Sequence, residues 1–401
     1  MHQIMQNQPI INIGCMGSVS DGKSTLVEML TGIKTQRHSH EKIRNITIKQ
    51  GYGNMKIWEN NITTDGNKNL DCELLNHISF VDCPGHQDLI QTMLASISIM
   101  NGAIIVIAVD QPLEKKPQLI QHLIAAKIGK LDKIIICLNK IDLVEKYTVL
   151  TRKDELNKLL DKYDIKPFTI IPTSFNKRIG LDYLILAIQK LFNPCDYINE
   201  KKLSEKPIFR ISRTFDINKP GTLIQDIKGG VIGGALLQGK LKINDEIEIK
   251  PGIISKNDNT WIPVKTKIIE IKSENNNLEE IIPGGLIAIL TDIDPFYCKN
   301  DNFIGNVVGL VNDLPQVYTN ISVNINLITF TDYKWNPKNN DNVILQIGTS
   351  SCDAMITNCN KNNITFNLNK PVCINQGQHI IICKNIDRIL RIVADTFYDI
   401  N

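Results

Sequence analysis

The chain has 401 residues, of which 42% are hydrophobic and 22% charged, with 45 Lys and Arg against 42 Asp and Glu. That balance excludes a disordered chain and a histone-like polycation, so any nucleic-acid contact must come from local basic patches. At about 100–200 residues per domain, the length predicts two to four domains.

The opening residues, MHQIMQNQPI, lack the basic-then-apolar order of a secretory signal. The longest apolar run, AIIVIAV at 103–109, is too short to span a membrane. The ten cysteines are scattered with no CxxC pair, which reads as thiols in a reducing cytosol.

Over the first 200 residues, apolar runs alternate with helical patterns. Strands are expected at 10–14, 77–81, 103–109, 134–138 and 168–171. Helices are expected at 23–30, 88–100, 117–128, 152–162 and 181–192. Short buried strands alternating with helices predict a mostly parallel α/β sheet with helices on both faces. From Pro207 onwards the pattern is β-rich, with strands expected at 208–212, 240–249, 266–271, 285–290, 306–311, 321–330, 343–348, 363–368 and 379–383. Turns rich in Gly, Pro, Asn and Asp separate them, as in small β-barrels. The expected domains are an α/β nucleotide-binding domain at 1–200 and β-barrels at 206–314 and 315–401, with a seam near Leu314-Pro315.

Gly17-Ser18-Val19-Ser20-Asp21-Gly22-Lys23-Ser24 fits GxxxxGK[ST], placed after a predicted strand and opening a predicted helix. In such a loop the backbone N–H groups curl around phosphate oxygens. Lys23 reaches the β- and γ-phosphates and the Ser24 hydroxyl ligates Mg²⁺. The nucleotide set at this end is Gly17, Ser20, Asp21, Gly22, Lys23, Ser24 and Thr25. Asp82-Cys83-Pro84-Gly85 closes the strand at 77–81, so Asp82 can hold Mg²⁺ through water and the Gly85 N–H can meet the γ-phosphate. Asn139-Lys140-Ile141-Asp142 follows the strand at 134–138. A carboxylate at Asp142 accepts guanine N1–H and N2–H₂, a donor pair that adenine lacks. Asn139 supports that loop and the Lys140 stem covers the base. Ser174, after the strand at 168–171, can offer backbone N–H groups to the guanine carbonyl, with Phe175 and Asn176 beside it. Thr47, between the first two motifs, can ligate Mg²⁺ and sense the γ-phosphate. His86, directly after Gly85, can position the attacking water and is the candidate catalytic residue; the other six histidines have no comparable setting.

Motif order and context give a GTPase, and the connecting text narrows it. GSVSDGKS, RNITIKQGYGNMKIW, FVDCPGHQDLIQTMLASISIMNGAIIVIAVD and LNKIDLV resemble the GTPase domain of the gamma subunit of eukaryotic and archaeal translation initiation factor 2. RTFDINKPGT, DIKGGVIGGALLQGKLKINDEIEIKPGIISK and PGGLIAILTDIDP resemble that subunit's second domain more than that of elongation factor Tu, and VILQIGTSS with NKPVCINQGQHIIIC resembles its third. The resemblance implies a GTP- and GDP-binding, Mg²⁺-dependent subunit that delivers initiator methionyl-tRNA to the small ribosomal subunit. It implies alpha and beta partner subunits, on the second domain and the GTPase domain respectively. It also implies an activating protein, an exchange factor and no membrane partner. The family's GYxNxK stretch points to Tyr52 and Asn54 as contacts of the aminoacylated tRNA end.

Three departures from the family pattern carry expectations. The family usually has His where Ser18 and Asp21 stand. The Asp21 carboxylate, unless turned to solvent, is expected to weaken phosphate binding by like-charge repulsion. Between Trp58 and Asn76 only Cys72 could serve a zinc knuckle, so no zinc is expected. The family's guanine-contacting Ser-Ala is Ser174-Phe175 here. Two further readings stay open on the sequence: a scaffold subunit uncoupled from nucleotide, and a carrier of elongator or selenocysteinyl tRNA.

Overall fold

The structure is a computed structural model that describes residues 2–35, 51–59, 73–86, 89–255, 260–331, 333–361 and 363–399. Thr47 and Cys72 lie outside the described residues. The chain divides into two compact units, Met1–Tyr197 with Asp387–Arg391, and Ile198–Ile386 with Ile392–Asn401.

In the first unit, elements alternate as the apolar runs predict. They are α1 (His2–Asn7), β1 (Ile11–Met16), α2 (Lys23–Thr31), β2 (Gly51–Trp58), β3 (Leu74–Asp82), α3 (Ile90–Ile97) and β4 (Gly102–Ala108), then α4 (Pro117–Ile128), β5 (Ile134–Asn139), α5 (Lys146–Tyr163), β6 (Thr169–Pro172) and α6 (Leu181–Leu191). Successive strand side chains point to opposite faces. Every residue of β1, β4 and β5 is buried, so the sheet is covered on both faces and these strands read as nearly continuous apolar runs, with Asn12 and the terminal Asn139 as buried polar exceptions.

The sheet order is β2-β3-β1-β4-β5-β6. All neighbours are parallel except β2, which runs antiparallel along the edge beside β3. The order reverses at β1, since β3 lies on one side and β4 on the other. In open α/β sheets the crevice at the carboxyl ends of the strands around such a reversal receives the ligand. The β2 strand is absent from the sequence reading. Its burial alternates, with Gly51, Gly53, Met55 and Ile57 inward and Tyr52, Asn54, Lys56 and Trp58 half-exposed.

The second unit opens with α7 (Glu200–Ser204) and is otherwise β-structure with short 3₁₀ turns among the described residues. Its first strands are β7 (Ile208–Phe215), β8 (Val231–Gln238), β9 (Leu241–Lys242), β10 (Glu246–Ile254) and β11 (Trp261–Ser273), then β12 (Asn276–Leu278), β13 (Glu280–Ile281), β14 (Ile287–Thr291) and β15 (Val307–Leu310). A seven-stranded sheet, β10-β15-β7-β8-β14-β11-β12, closes through a β10–β11 pairing into a barrel around Phe209, Ile232, Ile249 and Ile289. Closure removes the unpaired edges that an open sheet would leave. A second seven-stranded sheet follows, built from β16 (Val317–Asn324), β17 (Asn326–Leu327), β18 (Asn342–Ile347), β19 (Ser350–Asn360), β20 (Asn363–Cys373), β21 (His379–Ile386) and β22 (Ile389–Phe397). Its core holds Leu345, Ile356, Phe366 and Ile382.

Two helices differ in extent from the sequence reading. The one expected from 88 runs Ile90–Ile97, and the one expected from 152 begins at Lys146. No described helix is long and apolar enough to cross a membrane, and the nine cysteines among the described residues are free thiols.

Candidate nucleotide site

Four loops leave the carboxyl ends of β1, β3, β5 and β6, and these are the loops that carry the motifs. The loop after β1 spans 17–22 and opens α2 at Lys23. Gly22 has φ +105, a left-handed conformation that L side chains rarely adopt, and a Cβ there would collide with the Asn139 amide. The turn therefore requires glycine on both conformational and steric grounds.

Asp21 is buried, and its carboxylate faces neither solvent nor an uncompensated loop. Its Oδ2 accepts from Ser18 N–H at 2.8 Å, and Oδ1 accepts from Ala108 N–H at 3.2 Å and Lys116 Nζ at 2.5 Å. The carboxylate is not turned to solvent, and the buried ammonium of Lys116, from outside the motif, sits against it as a compensating charge that the expected repulsion did not include. Asn139 Nδ2 donates to the Asp21 carbonyl at 2.9 Å, while its Oδ1 accepts from Phe175 N–H at 3.1 Å. One amide thus joins the loops after β1, β5 and β6. The Phe175 N–H, close to the backbone group read as a guanine contact, is engaged by Asn139 instead, and the Phe175 ring is buried.

Lys23 is buried and donates to the Ser18 carbonyl at 2.7 Å. Burial lowers its pKa, and the carboxylates of Asp82 and Asp21 oppose that shift. The Ser24 hydroxyl donates to Asp82 Oδ2 at 2.7 Å, and Thr35, outside the motifs, donates to the same oxygen at 2.6 Å. Asp82 is completely buried at the end of β3. Gly85 lies so close to the phosphate loop that a Cβ there would strike the Lys23 ammonium and the backbone of Gly17 and Ser18.

His122 on α4 corrects the reading that no other histidine has a comparable setting. It is buried beside Gly85, hydrogen-bonded to its backbone, and its pKa is pushed down to about 3 by burial, then by Lys23. The ring is therefore neutral at physiological pH. His86 is half-exposed, and Leu89 N–H donates to its carbonyl at 3.0 Å.

At the base end, Lys140 takes φ +64 and its ammonium pairs with Asp110 at 2.9 Å. Asp142 is exposed on the 3₁₀ turn Ile141–Leu143. Ser174 is buried, whereas Asn176, Ser20 and Thr25 are exposed. The hydroxyls of Ser18 and Ser174 are buried without a hydrogen-bond partner. Two orphaned hydroxyls, a buried ammonium and a glycine turn at a helix start suit a polyphosphate with a polar base. Ser24 and Asp82 suit a hard cation, being oxygen donors already brought together.

The first unit matches the family model of the elongation factor Tu GTP binding domain over residues 8–194, and residues 329–395 match the C-terminal model of initiation factor eIF2 gamma. Similarity extends along the chain. It is 38% identical over 404 residues to the translation initiation factor 2 gamma subunit of Methanocaldococcus jannaschii, covering 96% of this chain and 97% of that one. It is 34% identical over 416 residues to the eukaryotic factor's gamma subunit from Encephalitozoon cuniculi, covering 98% and 93%. This chain belongs to the gamma subunits of translation initiation factor 2.

As a member of that family it is a GTP-binding translational GTPase. Solved structures extend the likeness in fold alone. A bacterial selenocysteine-specific elongation factor, EF-Sec, is 21% identical with a TM-score of 0.75, over 96% of this chain and 58% of that one. Elongation factor SelB from Methanococcus maripaludis, in complex with the GTP analogue GppNHp, is 20% identical with a TM-score of 0.75, over 98% and 80%.

Proposed function

We propose that this gamma subunit uses GTP and Mg²⁺ to carry initiator methionyl-tRNA to the small ribosomal subunit, and hydrolyses GTP on start-codon recognition. The observation that carries this reading is the gathering of Lys23, Ser24, Asp82, Gly85 and Asn139 at the carboxyl ends of the strands around β1, in a chain of this family.

Lys23 grips the β- and γ-phosphates, with the backbone of Gly17, Ser20, Asp21, Gly22 and Thr25 around them. Ser24 and Asp82, with Thr47 from the switch segment, would hold Mg²⁺, and the cation would supply charge neutralisation at the phosphates. Asp142 reads the guanine edge, supported by Asn139, Lys140 and the backbone of Ser174, Phe175 and Asn176. His86 orients the attacking water. The γ-phosphate would be sensed by Thr47 and the Gly85 N–H, and that contact would couple the nucleotide to a surface for the tRNA acceptor end. Tyr52 and Asn54 lie on the half-exposed side of β2, which suits such a contact.

The partners in this reading are alpha and beta subunits, an activating protein and an exchange factor, in the cytosol. Its domains are 1–200, 206–314 and 315–401.

The test is binding of initiator methionyl-tRNA at fixed salt, with the alpha partner added where needed, and elongator methionyl-tRNA as control. Tighter initiator binding with GTP than with GDP is expected. Equal binding in both nucleotides would instead favour the uncoupled scaffold.

A further inference from the structure

Lys116 stands at the N-terminal boundary of α4, directly before Pro117, where the helix dipole disfavours a cation. Its side chain is nonetheless only 7% exposed. A buried ammonium in that position needs a compensating anion, and the Asp21 carboxylate 2.5 Å away supplies it. Asp21 in turn gathers hydrogen bonds from Ser18, Ala108, Lys116 and Asn139. A single residue of the phosphate loop is thereby fastened to the end of β4, the start of α4 and the end of β5.

We propose that Lys116 is a positioning residue for nucleotide binding, acting through Asp21. With Lys116 in place, the carboxylate is a neutralised hub that fixes the Ser18 N–H and the loop backbone. Without it, the same carboxylate is a buried, uncompensated negative charge directly before Gly22 and Lys23, where phosphates arrive. This inference rests on residues 17–24 being the phosphate loop of a GTP site. The pair is tied to the Ser18 N–H and, through the Asp21 carbonyl, to Asn139, and to no group assigned to the γ-phosphate alone, so its effect falls on GTP and GDP alike.

The test is displacement of a fluorescent GDP by unlabelled GTP and GDP, with thermal midpoints measured on the same nucleotide-free preparations. Lys116→Met is expected to raise both dissociation constants about tenfold or more, leaving their ratio unchanged within about twofold. Adding Asp21→Asn to Lys116→Met removes the stranded charge and keeps one acceptor, for the Ser18 N–H, at the cost of the Ala108 contact, and is expected to restore part of the affinity. Lys116→Arg keeps the charge and is expected within about threefold of the unaltered chain. A merely structural role would lower the midpoint without this pattern of loss and rescue in affinity. If Lys116→Met does not fold, the double variant decides: folded and binding supports the pair, folded and not binding overturns it. Unchanged affinity in a folded Lys116→Met, or a loss that Asp21→Asn does not restore, also overturns it. If the unaltered chain binds no nucleotide, the assignment of the phosphate loop itself fails, and the role of the pair with it.

Discussion

At the phosphate end of the site, Asp21, Lys23, Asp82 and Asn139 are buried, and each is hydrogen-bonded to another element of the site. At the base end, Asp142 stands exposed on a single 3₁₀ turn, and the Lys140 ammonium pairs with Asp110. The first region is a mutually braced network in which removing one member leaves others unsatisfied inside the protein. The second presents a carboxylate that pays little desolvation until a base arrives. Grip on phosphate and choice of base are therefore separable, and substitutions at the two ends should differ in what they disturb.

The largest expected effect is Lys23→Ala. Losing the charge-assisted contact to the phosphates is expected to weaken GTP and GDP by about a hundredfold or more in fluorescence titration. Tight binding by that variant would mean that the loop after β1 does not hold the phosphates. Gly85→Ala comes next. The added methyl meets the Lys23 ammonium and the backbone of Gly17 and Ser18, so the strand end must move off the loop. About tenfold weaker GTP binding is expected, against a smaller change for GDP, which lacks the phosphate that Gly85 would meet.

Asn139→Ala removes both bridges of one amide, to the Asp21 carbonyl and the Phe175 N–H. It should cost about 2–3 kcal/mol of stability in urea titration as well as affinity, unlike any change at Asp142.

The smallest effect is a pH slope. Burial pushes His122 to about 3 and His77 to about 4. Both folded values lie below the unfolded one near 6.5. The stability associated with the neutral rings is thus fully present above that pH and is lost as pH falls towards the folded values. Urea titrations at pH 7, 6 and 5 should show the loss, and His122→Gln should remove up to about 1.4 kcal/mol per pH unit of it. An unaltered slope in that variant would mean that His122 is accessible to protons in the folded chain.

The parts of this architecture that were legible in the sequence are contiguous ones. The runs that became β1, β4 and β5 are apolar apart from Asn12 and the terminal Asn139, because both faces are covered, and the three loop motifs are short strings following strands. What could not be read depends on distant partners. Nothing local distinguishes Lys116 from Lys115 beside it, and only the fold brings Lys116 to Asp21. The setting of His122 exists because α4 packs next to the end of β3, and Thr35 reaches Asp82 from the far end of α2.

Two strands were hidden by composition. In β8 the pair Gly233-Gly234 interrupts the apolar run, but Gly234 lies against the Arg210 carbonyl where a Cβ would collide. In β19 the inward residues include Ser350, Cys352 and Ala354, small side chains that give little apolar signal. The edge strand β2 was obscured for a similar reason, since its inward positions begin with two glycines.

The separation of phosphate grip from base choice is tested most directly by Asp142→Asn. Xanthine carries a carbonyl where guanine carries the 2-amino group, so an amide at this position can donate to it. The variant is expected to lose about a hundredfold in GTP affinity, yet to bind xanthosine triphosphate within about tenfold of the unaltered chain's GTP affinity, with an unchanged thermal midpoint. Failure to bind either nucleotide, or a fall in the midpoint, would contradict the account, because the two ends of the site would then be one cooperative structure.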